Sequence, residues 1–160
     1  MARDHFIAPT APTADAIAVR LGAGSGSSNN LTTAEVGKFA KLVAESRYNL
    51  TAVGNEIEAV IFSVELAPQN QFTVGGVVEK GSLNVTFDGL QATPGTGVVA
   101  IGDYVVTGTP VAKDTALTAY PAVCKATAAA TAIVHKWRVV SLGTAGTGAV
   151  GTAGVISRVS

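Results

Sequence analysis

The chain has 160 residues, of which 48% are hydrophobic and only 14% are charged, and its 11 basic and 11 acidic residues give a formal net charge of zero. This length fits one domain with a buried core, and the charge balance excludes the basic face that binds nucleic acid. No apolar run reaches the roughly eighteen residues that span a bilayer. The single cysteine, Cys124, excludes an internal disulfide and a cysteine metal cluster. A chain this poor in charge is expected to cover much of its surface with partners or with copies of itself.

The first thirty residues are predicted to form an extended arm and a flexible linker, residues 1–30. Pro9 and Pro12 favour extended backbone, and residues 22–30 are almost all glycine, serine and asparagine, as in linkers. Between them, residues 15–21 could form a short strand or a turn. No apolar segment follows the charged N-terminal residues, so we expect no secretory signal and a cytoplasmic site of synthesis.

The next segment, residues 31–54, is predicted to contain an α-helix over residues 32–46 and a connection. Thr32 and Glu35 have the spacing of a capping box, in which each side chain bonds the backbone of the other residue. Apolar residues recur at the spacing of one helical face, at Val36, Phe39, Ala40 and Val43.

Residues 55–160 are predicted to form a compact β-sandwich or small β-barrel. Strands are expected over 56–66, 72–79 and 83–88, and the last of these alternates cleanly between apolar and polar residues. Gly75 and Gly76 predict a bulge or a close backbone approach. Strands of this length recur about every ten residues, as in sandwiches and barrels. Further strands are expected over 98–101, 104–107, 133–142 and 155–159, with a surface loop over 125–132.

Motifs that could carry chemistry are weak. Residues 146–151 match the GxGxxG pattern, but neither a helix nor a distant acid follows, so we predict a glycine-rich turn instead of a dinucleotide site. The only histidines, His5 and His135, lack the spacing of metal ligands, and no nucleophile elbow is present. Glu56 and Glu58 predict a solvated strand edge. The sequence therefore predicts no catalytic residue, cofactor or metal site, and no enzyme.

The β-rich segments of the chain resemble the head decoration (cement) proteins of tailed bacteriophages. The resemblance covers roughly residues 50–160 and is carried by four runs, residues 55–65, 71–81, 101–106 and 137–151. It implies a compact β-domain without catalytic residues. It also implies binding to the outside of an icosahedral shell, where such proteins sit at local three-fold or two-fold positions and bridge neighbouring major capsid subunits.

We therefore expect a structural virion protein on the capsid exterior. Its expected partners are the major capsid protein and sister copies in a homo-oligomer, with a trimer as the predicted form. No nucleic acid, membrane or small-molecule partner is expected. Contacts with the capsid or a sister subunit are predicted within residues 3–21 and 32–46, with seven candidate residues: His5, Phe6, Ile7, Ile17, Val19, Phe39 and Val43.

Two other interpretations remain open from the sequence. A tail-tube or other virion subunit would assemble into rings or tubes when purified alone. A small carbohydrate-binding β-domain displayed on a surface would need an aromatic or polar pocket, for which Trp137 and three tyrosines are available. A glycan array would distinguish the second alternative from the capsid hypothesis.

Overall fold

The computed structural model describes residues 16–22, 31–67, 72–109, 120–127 and 133–159. These residues form two β-sheets, and the strands of the first precede those of the second along the chain. The predicted mainly β architecture is confirmed, including a closed barrel. The predicted α-helix is wrong, because the only helical segment in the described part of the chain is a single 3-10 turn at Thr33–Glu35. Most of the predicted arm and linker lies outside the described residues, as do His5, Phe6 and Ile7.

The first sheet closes into a five-stranded barrel, which we call the first barrel. Its strand order is β1-β3-β2-β4-β5, and β1 closes the ring by pairing with β5 along its full length. All of its pairings are antiparallel except the short parallel contact between β1 and β3. The strands are β1 Ala16–Leu21, β2 Phe39–Ala44, β3 Arg47–Leu50, β4 Ala59–Ala67 and β5 Phe72–Val78.

A β-hairpin replaces most of the predicted helix. The capping box forms as predicted, with the Thr32 backbone N–H donating to the Glu35 carboxylate at 2.7 Å. Gly37 then adopts a φ of +89°, which ends the helical turn because it reverses the backbone hand. Strands β2 and β3 follow, joined by a turn in which Ser46 has a φ of +52°. The apolar spacing fits a short strand pair as well as a helix, and pairing with β1 and β4 decides between them.

The capping box predicts a loss of stability in acid. Burial alone would raise the pKa of Glu35, but hydrogen bonds from Thr32 and the nearby Lys38 ammonium outweigh it and lower that pKa. The stabilisation is therefore complete above the unfolded-state pKa of 4.5 and is lost as the pH falls through the lower folded-state pKa. Urea unfolding at neutral pH and below pH 4 should show a smaller acid loss for Glu35→Gln than for the unmodified chain. Equal losses in both proteins would contradict a role for this carboxylate.

The second sheet contains the strands from β6 to β11. Strand β11 pairs with both β10 and β6, and β8 and β9 complete a ring of five strands with them. Strand β6 shows the predicted alternation of buried and half-buried residues along its whole length. No strand was predicted over β9, whose last residue fell in the predicted surface loop over 125–132. The strands are β6 Ser82–Leu90, β7 Thr93–Pro94, β8 Tyr104–Thr107, β9 Ala122–Lys125, β10 Trp137–Ser141 and β11 Ala153–Arg158.

Two apolar clusters fill the two sheets. The smaller cluster lies inside the first barrel and includes Leu21, Tyr48, Ile61 and Val77. The larger cluster fills the second sheet around Trp137, and it also contains Phe39 and Val60 from the first barrel. The two sheets therefore pack against each other through shared apolar contacts. Gly75 makes the close approach predicted from its sequence, because a side-chain carbon there would lie 2.1 Å from the Ser63 oxygen.

The connection between β3 and β4 holds the two sheets together through its backbone. The Trp137 indole N–H donates to the Ile57 oxygen at 2.8 Å, and the Thr107 N–H donates to the Asn55 oxygen at 3.0 Å. The Arg158 guanidinium donates to the carbonyl oxygens of Glu58 and Glu79 at 2.9 and 2.7 Å. These buried and half-buried bonds fix the orientation of the first barrel on the second sheet.

The carboxylates predicted to lie on a solvated strand edge have structural partners instead. Glu56 accepts hydrogen bonds from the backbone N–H groups of Val134 and His135, at 3.0 and 3.3 Å. Glu58 accepts from the backbone N–H of Leu42 at 2.9 Å. Glu56 ties the β3–β4 connection to the segment before β10, and Glu58 ties it to β2. The spacing of the two residues in the sequence could not indicate these partners.

Candidate functional site

The structure separates the predicted contact residues that it describes into exposed and buried pairs. Ile17 and Val43 are exposed, at 45% and 41% of their accessible surface. Val19 lies in the core of the first barrel and Phe39 in the larger core, at 7% and 3% exposure. Burial of these two side chains leaves no surface on them for a partner. Strands β1 and β2 turn Val19 and Phe39 into the core, and the contact role of the seven candidate residues stays a prediction.

Two ionisable side chains of the described residues, Tyr48 and Cys124, lie inside the fold and have raised pKa values. The Tyr48 hydroxyl donates to the Glu79 carboxylate. Burial is the largest cause of the raised pKa of Tyr48, and this hydrogen bond raises the pKa further. Burial, with a smaller contribution from Asp88, raises the pKa of the Cys124 thiol to about 12, so this cysteine is a poor nucleophile. Within the described ranges, no group of three or more acidic, histidine or cysteine side chains is arranged to hold a metal ion.

Over the described part of the chain, no helix has the length and apolar character needed to cross a bilayer.

Two stretches without any ionisable residue meet at one end of the second sheet. They are residues 89–102, between Asp88 and Asp103, and residues 139–157, between Arg138 and Arg158. The strand pairings bring the loops β6–β8 and β10–β11 to the same end, since β6, β11, β10 and β8 alternate in direction. Trp137 and Arg158, which hold the first barrel, lie at the opposite strand ends. Strand β11 then runs to the opposite end, so we call residues 89–102 and 139–153 the uncharged end.

Backbone hydrogen bonds join the two stretches of the uncharged end into one surface. The Val99 N–H donates to the Gly148 oxygen at 2.9 Å, and Val98 forms a β-bridge with Ala149. The Gly102 N–H donates to the Val139 oxygen, also at 2.9 Å. Val99 is buried beneath this surface, so it anchors the loop to the core.

Apolar side chains project from the uncharged end into solvent. Val98 and Ile101 are exposed by 62% and 64%, and Val140 and Val150 by about two fifths, at 41% and 42%. Exposed apolar residues grouped together are typical of contact surfaces. The Asp103 carboxylate borders this surface, since it accepts a hydrogen bond from the Ala100 N–H at 2.8 Å and lies 3.0 Å from the Lys125 ammonium. The uncharged end is the strongest candidate functional site in the described residues.

The GxGxxG motif of residues 146–151 forms a turn at the uncharged end. Gly146 and Gly151 adopt positive φ values of +63° and +83°, which turn the chain. Gly148 instead allows close backbone approach, because a side-chain carbon there would lie 1.7 Å from the Val99 oxygen. The predicted glycine-rich turn is confirmed, and no helix follows it.

A second exposed apolar feature is the tip of the β2–β3 hairpin. Residues 42–46 are all exposed, including the consecutive residues Leu42 and Val43. Successive strand residues point to opposite faces, so the hairpin stands away from the barrel on both sides. We call residues 42–46 the hairpin tip.

Comparison with known proteins adds no relative. A scan against protein-family models finds no match, and searches of curated proteins and of solved structures find none either.

Sequence reasoning pointed to the N-terminal arm and the helix and missed the uncharged end as a single surface. The signal was available, since the two long charge-free stretches can be counted directly in the sequence. Their meeting could not be predicted, because it depends on which strands pair.

Proposed function

We propose that this chain is a structural virion protein that coats the outer surface of a tailed-phage capsid and bridges neighbouring major capsid subunits. In this proposal it acts as a homo-oligomer, with a trimer as the expected form, and it catalyses no reaction. The observation that carries the proposal is the uncharged end, a surface that exposes Val98 and Ile101 and has no ionisable residue in either of its stretches.

The physical argument concerns what such a surface can do. Exposed aliphatic groups gain free energy when a partner covers them. The many backbone hydrogen bonds of the uncharged end hold it rigid, which lowers the entropic cost of docking. Repetition over a symmetric shell would multiply weak single contacts into stable coating. The hairpin tip provides a second apolar contact at the other sheet.

A charge placed on the uncharged end tests whether this surface makes the contact. Ile101→Lys should weaken binding to expanded, undecorated capsids by at least about tenfold, because a lysine buried in an apolar contact loses its hydration without gaining a partner. Cosedimentation of purified protein with capsids would measure the occupancy. The matched control is Val134→Lys, since Val134 is similarly exposed, at 72%, but precedes β10 at its opposite end.

Equal weakening by both variants would contradict a role for the uncharged end. Deletion of residues 1–14 tests the predicted arm contact separately, since it leaves β1 intact. If the shortened protein and Ile101→Lys both coat capsids at full occupancy, neither the arm nor the uncharged end makes the contact. If the unmodified chain does not bind expanded capsids, the capsid proposal fails. Formation of rings or tubes by the purified chain alone would support the tail-tube alternative instead.

A further inference from the structure

Strand β1 has a backbone edge that its neighbours cover only in part. It pairs with β5 along its full length, but with β3 only at Arg20 and Leu21. The Arg20 N–H donates to the Ser46 oxygen at 2.9 Å. Every second strand residue directs its backbone groups to the same side, so Ala18 directs its N–H and oxygen past the hairpin tip. Ala18 forms no hydrogen bond there with any residue that the structure describes, and we call this side of β1 the open edge.

The side chains at this end of the first barrel are also uncovered. Ile17 shares a face with Val19, two residues further along β1, but Val19 is buried inside the barrel whereas Ile17 is 45% exposed. Leu42 likewise pairs with the buried Tyr48, yet it is 48% exposed. The inward face of the barrel is therefore left uncovered by the described strands where β1 begins and at the hairpin tip.

An open groove of about 460 Å³ borders the open edge. Its volume lies within the range of about 300–1,000 Å³ that ligand sites occupy. Unpaired N–H and C=O groups of a strand edge bind a further strand. The Glu45 carboxylate, exposed at the hairpin tip, forms no ion pair with a described residue. The groove therefore suits an extended segment that carries a cation. Its lining residues are Ala18, Val19, Arg20, Glu45, Ser46 and Val74.

The chain itself contains such a segment. Residues 1–15 precede β1 and lie outside the described residues. Within them, residues 2–8 contain no proline, so each keeps the N–H that strand pairing needs. Arg3 supplies the cation, and in an extended strand Asp4 points to the opposite face. Phe6 supplies an apolar group that can cover the exposed part of the barrel interior.

A second copy is the source that the connection to β1 favours. Residues 9–15 separate the segment from β1, whereas β-hairpin loops usually have only about 2–5 residues. Pro9 and Pro12 favour extended backbone, which opposes a reversal onto the same chain. Fully extended, these residues span up to about 23 Å and carry the segment away from its own β1.

We propose that residues 2–8 of a second copy add a strand to the open edge of β1, with Arg3 paired to Glu45. The inference rests on the homo-oligomer of the proposed function and names the contact that joins its copies. Because each copy gives one segment and receives another, the contact is head-to-tail, and such contacts close into rings. A ring is compatible with the expected trimer.

The test measures the oligomeric state of full-length variants by sedimentation velocity over a range of concentrations. Phe6→Pro disrupts the added strand, and Ala18→Pro removes the N–H of the open edge while leaving the bonds between β1 and β5. The unmodified chain should form an oligomer, and each variant alone should be monomeric. A mixture of the two variants should form a complex with one copy of each, because one keeps its open edge and the other keeps its segment. Thr10→Pro, outside residues 2–8, is the matched control and should leave the oligomer intact.

A charge swap tests the same contact without a proline. Glu45→Arg should raise the dissociation constant of the oligomer by about threefold, the size expected for an exposed ion pair. Arg3→Glu in the same chain should restore the original value. Glu45 is exposed, so this variant should fold even if Ala18→Pro does not.

Three results would overturn the proposal: an unmodified chain that stays monomeric, a mixture of Phe6→Pro and Ala18→Pro that forms no complex although circular dichroism shows both folded, or a dissociation constant unchanged in Glu45→Arg. Oligomers that persist in Ala18→Pro while its capsid occupancy falls would overturn it too, and would assign the open edge to a capsid segment. The oligomer measurements use no capsids, so their failure is distinguishable from failure of the Ile101→Lys test.

Discussion

Trp137→Ala is expected to lower the free energy of unfolding by about 3–5 kcal/mol, as for other large buried aromatic residues. Trp137 is fully buried in the larger core, and its indole N–H donates to the Ile57 oxygen between the two sheets. The substitution therefore leaves a cavity and removes a partner from a buried carbonyl. A loss of this size is a large fraction of the stability of a typical domain.

Guanidinium unfolding followed by far-ultraviolet circular dichroism would measure the effect of Trp137→Ala, since Trp137 is the single tryptophan and its fluorescence disappears in the variant. Trp137→Phe fills most of the cavity and should cost less, about 1–3 kcal/mol from the unpaired carbonyl and the lost volume. Arg138→Ala on the same strand is the matched control, since Arg138 is exposed and its change should lie within about 0.5 kcal/mol. A loss below about 1 kcal/mol for Trp137→Ala would show that the sheets do not depend on this contact.

Gly148→Ala is expected to destabilise the protein by about 3 kcal/mol, near the upper end of the usual range for overpacking. The added carbon would lie 1.7 Å from the Val99 oxygen, and neither backbone segment can yield without breaking the bond from the Val99 N–H to the Gly148 oxygen. Because this contact joins the two stretches of the uncharged end, capsid binding should fall together with stability if the proposed function is right.

Gly146→Ala is the matched control for Gly148→Ala within the same motif. Gly146 has a positive φ of +63° but no atom within 4 Å of the added carbon, so only the backbone conformation is penalised, by about 1 kcal/mol. Thermal or chemical unfolding of both variants separates the two causes. Equal costs would mean that the close approach to Val99 does not make glycine necessary at position 148.

Local sequence patterns correctly predicted the features that depend only on residues close together in the chain. The alternation along β6 predicted its inward and outward faces, since successive strand side chains point to opposite sides. Gly75 predicted a close backbone approach, and Thr32 with Glu35 predicted a capping box, which forms even though the helix does not follow. The spacing of Val36, Phe39, Ala40 and Val43 was ambiguous, because short apolar runs fit a helix or a strand pair.

The amino-acid sequence alone predicts the mainly β character and the glycine-rich turn after β10. It also contains the two stretches without an ionisable residue. Tertiary structure alone decided that β1 closes a barrel with β5, that Phe39 enters a shared core, and that the charge-free stretches meet in one surface. The physical reason is that strand pairing joins residues far apart in the chain, such as Ile17 and Val77. Local propensity carries no information about such partners, because the pairing is selected by packing and hydrogen bonding over the whole fold.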